Sequence, residues 1–509
     1  MKKFKKPLCM FLAALMLLSV TAVFAGCGTN DETPDGAGTQ NADTNAEDES
    51  DGVDNRFVGV DYKDRSFRIY TSNYIPTDGI SNSHFLIEGA AKSEGNLVND
   101  AVLERNITVE DLLGVKLEFT TSDLLFTEVP ADIRKYTQSG TDEFDLINNS
   151  VYAFSELLID GHFRNVMDEE CVFDFDRDYW YGDYMDDLRF RNGYQYILAG
   201  DYFIDVMRSA HLLLVNKDMY RDYYHTSADE LYDVVSNYEW TLDKMNTVCT
   251  GLYADLNHTN KIDDGDQFGF MTASYWGGAI PFMISGNPPY ISRDDDGIPT
   301  ITIHEGDRAN QLASEMSKVF NNESAGIEIG EVNKLLEAFT QNECLMLGYQ
   351  RLGSLEDPIL RGMEGDAAVL PYPMLFASDQ KYVTATHDTT HMGAILITST
   401  DLEFISTVTE VLCRETANIL MPKYYKESLQ VQCVDDEKAA AMIDIIHDNF
   451  GHSFILAYNA ALGSMVLQSF TTSIQEKREF SAVFARYSKQ INKKLKAKIH
   501  QFEKKNLGA

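Results

Sequence analysis

Asp255, Asn257, Thr259, Lys261, Asp263 and Asp266 stand at positions 1, 3, 5, 7, 9 and 12 of a single twelve-residue stretch. That spacing wraps carboxylate, amide, hydroxyl and carbonyl oxygens around Ca²⁺ in an EF-hand-like loop, with Lys261 supplying its backbone carbonyl and Ile262 packing inward. Two positions depart from the pattern. Thr259 stands where Asp is usual, and Asn260 where Gly is usual, although Asn tolerates the left-handed backbone that the turn needs. The alternative is a polar surface loop. A bound ion would be structural, held with a Kd of about 10⁻⁴ to 10⁻³ M, as in extracellular modules.

Catalytic spacing is otherwise missing. The chain has no GxSxG, no HExxH, no Walker loop and no GxGxxG opening a helix. A carboxylate pair for glycoside hydrolysis could be drawn from its 79 acidic residues, but nothing singles out two of them.

Cys27 is the other residue whose position implies chemistry. It follows a basic start (Lys2, Lys3, Lys5, Lys6), an apolar run over 7–24 and the small pair Ala25 and Gly26. An apolar run of this length lies at the lower edge of what spans a bilayer. The Ala-Gly-Cys ending resembles the lipobox of bacterial lipoproteins, with Phe24 where Leu is usual. The resemblance implies that residues 1–26 are a signal peptide. It also implies that the Cys27 sulfur carries a diacylglyceryl group, whose two acyl chains hold far more firmly than one. Residues 28–55 carry nine acidic residues and no basic one, so a disordered tether over 27–55 is expected. As a coil it would reach about 30 Å.

Alternating and helical periodicities set the elements that must position any site. Residues 66–72 alternate as a strand, 98–113 repeat as a helix stopped by Gly114, and 115–119 alternate again. A strand, a helix and a strand in this order form a βαβ unit, hence a parallel sheet and an α/β fold. A helix over 129–138 and a strand over 144–148 follow. Residues 211–216 are an apolar run short enough for a doubly buried strand. Thr241 caps a helix carrying Leu242, Met245, Val248 and Leu252, which leads through the 255–266 loop to a strand at Phe268. Further strands are expected at 300–303, 345–348, 367–370 and 392–397, with a helix over 309–320. A basic amphipathic helix is expected over 480–505, its lysines on a solvated face.

Composition narrows the partners. Removing residues 1–26 takes away four lysines and leaves 39 basic against 79 acidic residues, a net charge of −40. Nucleic acid and anionic lipid are poor partners for such a surface. Some 450 residues beyond the tether exceed one ordinary core and imply two lobes. Cys171, Cys249, Cys344, Cys413 and Cys433 are odd in number and show no paired spacing, so they read as buried apolar residues rather than bridges or zinc ligands.

The order of motifs resembles the family 1 extracellular solute-binding proteins of ABC importers. The carriers are 145–149 (Asp-Leu-Ile-Asn-Asn) with 165–168, 213–220 (Leu-Leu-Val-Asn-Lys-Asp-Met-Tyr), 238–245 around Trp240, 338–347 and 368–373 (Ala-Val-Leu-Pro-Tyr-Pro). Asn342 replaces the usual Gly, Leu345 the usual Ala and Ala368 the usual Gly. The resemblance spans nearly all of 56–508. It implies a two-lobed periplasmic-binding-protein-like α/β fold of type II: lobe 1 from 56–213 and 348–412, lobe 2 from 214–347 and 413–509. It also implies a lipid-anchored protein on the outer face of the cytoplasmic membrane. Such a protein passes a small ligand, most often a sugar, to ABC permease subunits. The enzymatic alternative is a surface glycoside hydrolase or lyase.

Sugar recognition needs flat apolar faces and a few polar groups. The expected ligand contacts are Tyr275 and Trp276, after the Phe268 strand, Tyr349, after the Leu345 strand, and Asp201 with Tyr202. Trp180 could be a contact or core, whereas Trp240 reads as structural because it adjoins a helix cap.

Overall fold

A computed structural model describes residues 56–72, 84–93, 95–263, 265–274, 276–327, 332–425 and 437–508. The chain divides into two units, Met1–Asn55 and Arg56–Ala509. Cys27, the signal segment and the acidic stretch fall in the first unit and lie outside the described residues; Tyr275 and Cys433, in the second unit, also lie outside them. Among the described residues no helix is long and apolar enough to cross a membrane.

The second unit carries eleven strands among its described residues. They are β1 (Arg65–Ser72), β2 (Val115–Ser122), β3 (Leu146–Ser150), β4 (His211–Asn216), β5 (Phe268–Thr272), β6 (Ile291–Arg293), β7 (Pro299–Ile301), β8 (Ala325–Ile327), β9 (Cys344–Arg351), β10 (Ala367–Leu370) and β11 (His391–Ala394). Two main sheets result, one ordered β11-β3-β1-β2 and one ordered β10-β4-β9-β5-β8, with β6 and β7 forming a small hairpin.

The first sheet is built on the expected βαβ unit. β1 and β2 run parallel with Phe67 opposite Leu117, and the Leu97–Leu113 helix joins them. Asn96 caps that helix, its side-chain oxygen accepting from the Val98 and Asn99 backbone N–H groups. Gly114 ends it in the left-handed region at φ 59°, donating its N–H to the Glu110 carbonyl. Val98, Val102, Val109 and Leu113 are buried. β3 adds to β1 in parallel, and β11 closes the edge antiparallel to β3.

The second sheet centres on β4, β9 and β5. All six residues of β4 and all five of β5 are buried, so both read as continuous apolar runs rather than alternating ones. Residues 348–370, grouped with lobe 1 from the sequence, supply the second half of β9 and all of β10 to this sheet. The chain therefore returns to the first sheet between β10 and β11. The C-terminal helices serve both sides: Met465–Glu476 packs on Arg308–Phe320, and Ser488–Phe502 packs on Val151–Ile159. The helix expected over 480–505 is two helices, Phe480–Phe484 and Ser488–Phe502, the second burying Ile491, Leu495 and Phe502.

Three segments cross between the sheets side by side. Leu352 N donates to Ala210 O at 2.9 Å, His211 N to Ala385 O at 2.9 Å and His387 N to Ser209 O at 3.2 Å. Arg208, 1% exposed at its side chain, clamps them through a bidentate pair to Glu356, Nε to Oε1 at 2.9 Å and Nη2 to Oε2 at 2.8 Å. Tyr424 donates to the same carboxylate. Burial alone would lower the Arg208 pKa, but Glu356, Tyr424 and Asp205 together outweigh that cost and hold the guanidinium charged.

Candidate ligand-binding site

A cavity of about 260 Å³ opens where the crossing segments meet the ends of the second sheet. Trp276, Gly277 and Ile280 follow β5, His211 opens β4, and Tyr349 lies near the end of β9. Thr386, His387, Asp388 and Thr389 come from the return crossing, Phe126 from the first lobe, Leu456 and Leu467 from two C-terminal helices and Asn459 from the turn between them. Loops beyond the carboxyl ends of strands are where open α/β sheets present ligand groups.

Trp276 is 36% exposed, whereas the other two tryptophans are buried and committed. Trp180 donates Nε1–H to Glu410 Oε2 at 2.9 Å, and Trp240 donates to the Pro371 carbonyl at 3.0 Å. Gly277 lets the wall close. A Cβ there would meet the Tyr349 ring at 3.0 Å, so a larger residue would push that ring away. Tyr349 itself sits at φ 60°, a left-handed conformation rare for an aromatic residue, and its backbone N–H donates to Tyr372 Oη at 2.7 Å.

Two imidazoles face the cavity. His211 and His387 lie with ring centroids 6.0 Å apart. Both titrate well below the ordinary histidine value, first because burial penalises the charged ring and then because Arg351 is close; His387 lowers His211 further. They are neutral at pH 7. His387 Nδ1 lies 3.2 Å from the Thr389 backbone N and 2.8 Å from its hydroxyl, and Nε2 lies 3.3 Å from Tyr349 Oη.

Two buried polar atoms on this wall, His211 Nδ1 and Asn459 Oδ1, have no hydrogen-bond partner in the protein. Buried polar atoms are rarely left so. Among the described lining residues Asp388 is the one carboxylate. Glycoside hydrolysis with a carboxylate dyad would need two.

The structure brings together Trp276 and Tyr349 from the expected contacts. Tyr275 lies outside the described residues. Asp201 and Tyr202 do not line the cavity. Tyr202 is fully buried beneath Arg105, whose guanidinium sits 5.0 Å from the ring centroid. Asp201 is 7% exposed and accepts from Tyr181 Oη at 2.9 Å. Burial pushes its carboxyl up to about 6, against the lowering effects of the Tyr181 hydrogen bond and His447. Of the cysteines, Cys249, Cys344 and Cys413 are buried and Cys171 is partly so; all four are free thiols.

The 255–266 loop is drawn tightly together. Asp255 accepts from the backbone N–H of Thr259 at 3.1 Å and of Asn260 at 2.8 Å, and Asn260 takes the left-handed φ of 54° expected of it. Thr259 Oγ1 lies 2.8 Å from Asp263 Oδ2 and 3.4 Å from the Lys261 carbonyl, while Asn257 donates to Asp263 Oδ1 at 2.6 Å. Ile262 does not pack inward. It is 63% exposed, since the inner side of the loop faces Tyr253 and Asp266 instead. Among the described residues no three His, Cys, Asp or Glu side chains converge as a metal cluster on their own.

No protein-family profile and no curated protein matches the chain in sequence. Solved structures do match it. A cyclo/maltodextrin-binding protein complexed with maltotetraose aligns with TM-score 0.53 at 11% identity, over 84% of this chain and 97% of its own. An ABC substrate-binding protein from Listeria monocytogenes in complex with cycloalternan aligns with TM-score 0.51 at 12% identity, over 85% and 99%. The maltose/maltodextrin-binding domain from Bdellovibrio bacteriovorus bound to maltotriose gives 0.50 at 13%, over 86% and 100%. With its two main sheets, its three crossing segments and a cavity where they meet, the chain has the two-lobed periplasmic-binding-protein-like fold of these ABC solute-binding proteins.

Proposed function

We propose that this chain is a lipid-anchored extracellular solute-binding protein that captures a carbohydrate between its lobes and delivers it to an ABC permease. The observation that carries the reading is the composition of the cavity wall. An exposed indole face lies beside neutral imidazoles, an amide and one carboxylate. Indole and tyrosine faces suit pyranose C–H groups, and uncharged donors and acceptors suit hydroxyls without the desolvation cost of a second ion. The crossing segments give the hinge. Ligand contacts made only in the closed form would drive closure.

Thermal-shift and calorimetric titration of residues 56–509 against maltooligosaccharides, cyclic glucans, alditols and peptides tests the ligand class. Stabilisation by a sugar, without hydrolysis of chromogenic glycosides, is the expected result. Turnover, or stabilisation by peptides alone, would replace this reading with another. The anchor is tested separately. Cys27→Ala should be secreted into the medium or left unprocessed, and its retention in correctly cleaved form would remove the lipid from the account.

A further inference from the structure

Residues 255–266 hold an arrangement that the cleft does not use. The loop is closed at its neck by a pair of backbone hydrogen bonds, Ala254 N to Gln267 O at 3.0 Å and Gln267 N to Ala254 O at 2.9 Å. Within it, the Asp255 and Asn257 side-chain oxygens both accept from the Thr259 backbone N–H at 3.1 Å. Thr259 Oγ1 lies 3.4 Å from the Lys261 carbonyl and 2.8 Å from Asp263 Oδ2. Positions 1, 3, 5, 7 and 9 are thus drawn into one cluster, although only two of them carry a carboxylate. Position 12 supplies the independent sign. Asp266 is 1% exposed, and its Oδ2 is held toward the loop by the Asp263 N–H at 3.1 Å and by Tyr253 Oη at 3.0 Å. Its Oδ1 is buried with no partner in the protein. A carboxylate oxygen in that position is costly unless something positive meets it.

We propose that this loop is a Ca²⁺ site, with oxygens from Asp255, Asn257, Thr259, the Lys261 carbonyl, Asp263 and Asp266 as ligands. Three carboxylates with three neutral oxygens make an all-oxygen shell, which selects a hard cation over zinc. The mix also explains why the acidic side chains alone do not converge: half of the shell is amide, hydroxyl and carbonyl. Thr259 in place of a third early acid lowers the ligand charge and places the affinity in the weak extracellular range. The ion would fix the entry to β5, which begins two residues after Asp266 and leads to Trp276 at the cleft. This inference does not depend on the cleft being a sugar site.

The test uses the intact chain and Tb³⁺, which replaces Ca²⁺ and emits when a nearby aromatic ring is excited. Tyr253, hydrogen-bonded to Asp266 and the Lys261 carbonyl, is placed to sensitise it. Saturable emission displaced by Ca²⁺ at about 10⁻⁴ to 10⁻³ M, and not by equal Mg²⁺, is expected. Calcium at about 10 mM should also raise the Tm by roughly 2 °C over an ionic-strength control. Asp266→Asn should weaken calcium competition at least about tenfold. Asp255→Asn, at a half-exposed position, gives the same readout if Asp266→Asn fails to fold. Emission that never saturates, or that both folded variants retain in full, would mean adventitious ions on an acidic surface and would overturn the site.

Discussion

Trp276 with Tyr349, and Asp201 with Tyr202, offer the same chemistry in sequence, an aromatic face beside a polar neighbour, yet the fold assigns them opposite roles. Trp276 sits four residues past the carboxyl end of β5 with its ring open to the cavity. Tyr202 lies under Arg105, on the Leu97–Leu113 helix, and Asp201 is sealed by Tyr181. The first region leaves an indole open to the cavity, and so retains binding capacity. The second is sealed: Tyr202 is fully buried, and Asp201 is covered and accepts from Tyr181. Whether an aromatic can bind depends here on whether its segment leaves a sheet end or passes beneath a helix.

The sharpest way to break this contrast is Tyr202→Ala. Truncating a buried aromatic should cost about 3–5 kcal/mol of stability, read by urea denaturation, with ligand affinity of the remaining folded protein unchanged. Lost affinity in a folded variant would place Tyr202 at the site after all. Asp201→Asn comes next. The folded carboxyl titrates at about 6, above its ordinary value, so between pH 4 and 6 the folded state binds a proton that the unfolded state has released. Stability therefore falls as pH rises through that window. The variant should be more stable at pH 7 by about 3 kcal/mol and equal below pH 4. A destabilised variant at pH 7 would show that the charge is used. Trp276→Ala should leave stability within about 0.5 kcal/mol yet weaken ligand binding about 30-fold, roughly 2 kcal/mol, by calorimetry.

The sequence made the scaffold readable where burial alone decides. β4 and β10 are uninterrupted apolar runs and match their expected bounds, and the Thr241 and Gly114 caps lie where expected. The site was half readable. Trp276 stands out because it follows a recognisable strand, and Tyr349 because it adjoins one, although β9 runs on through it; His211 looks like one end of an apolar strand, although it is the only ionisable group in that run. His387 and Asp388 belong to a crossing segment without periodicity. Leu456 and Leu467 come from helices far along the chain and Asn459 from the turn between them, and only the three-dimensional return of those helices brings them to the wall. The lobe boundary near 348 shifted for a related reason. β10 joins the second sheet by antiparallel pairing with β4, which a helix-strand alternation does not announce.

The smallest expected effect is the most exacting for the cleft. A hydrated histidine would change charge near pH 6.5, and affinity for a neutral ligand would change with it. Burial and Arg351 hold both His211 and His387 neutral well below that value. Ligand affinity should therefore vary by less than about twofold between pH 8 and 6, followed by Trp276 fluorescence or calorimetry at each pH. Stability should behave differently over the acid side. Below pH 6.5 the unfolded chain binds protons that these folded imidazoles refuse, so each contributes a loss of up to about 1.4 kcal/mol per pH unit as pH falls. Flat affinity above a declining stability is the signature of two imidazoles kept as neutral hydrogen-bonding groups. A tenfold fall in affinity through pH 6.5 would mean that they are hydrated and charged, and that the wall offers a ligand a cationic face instead.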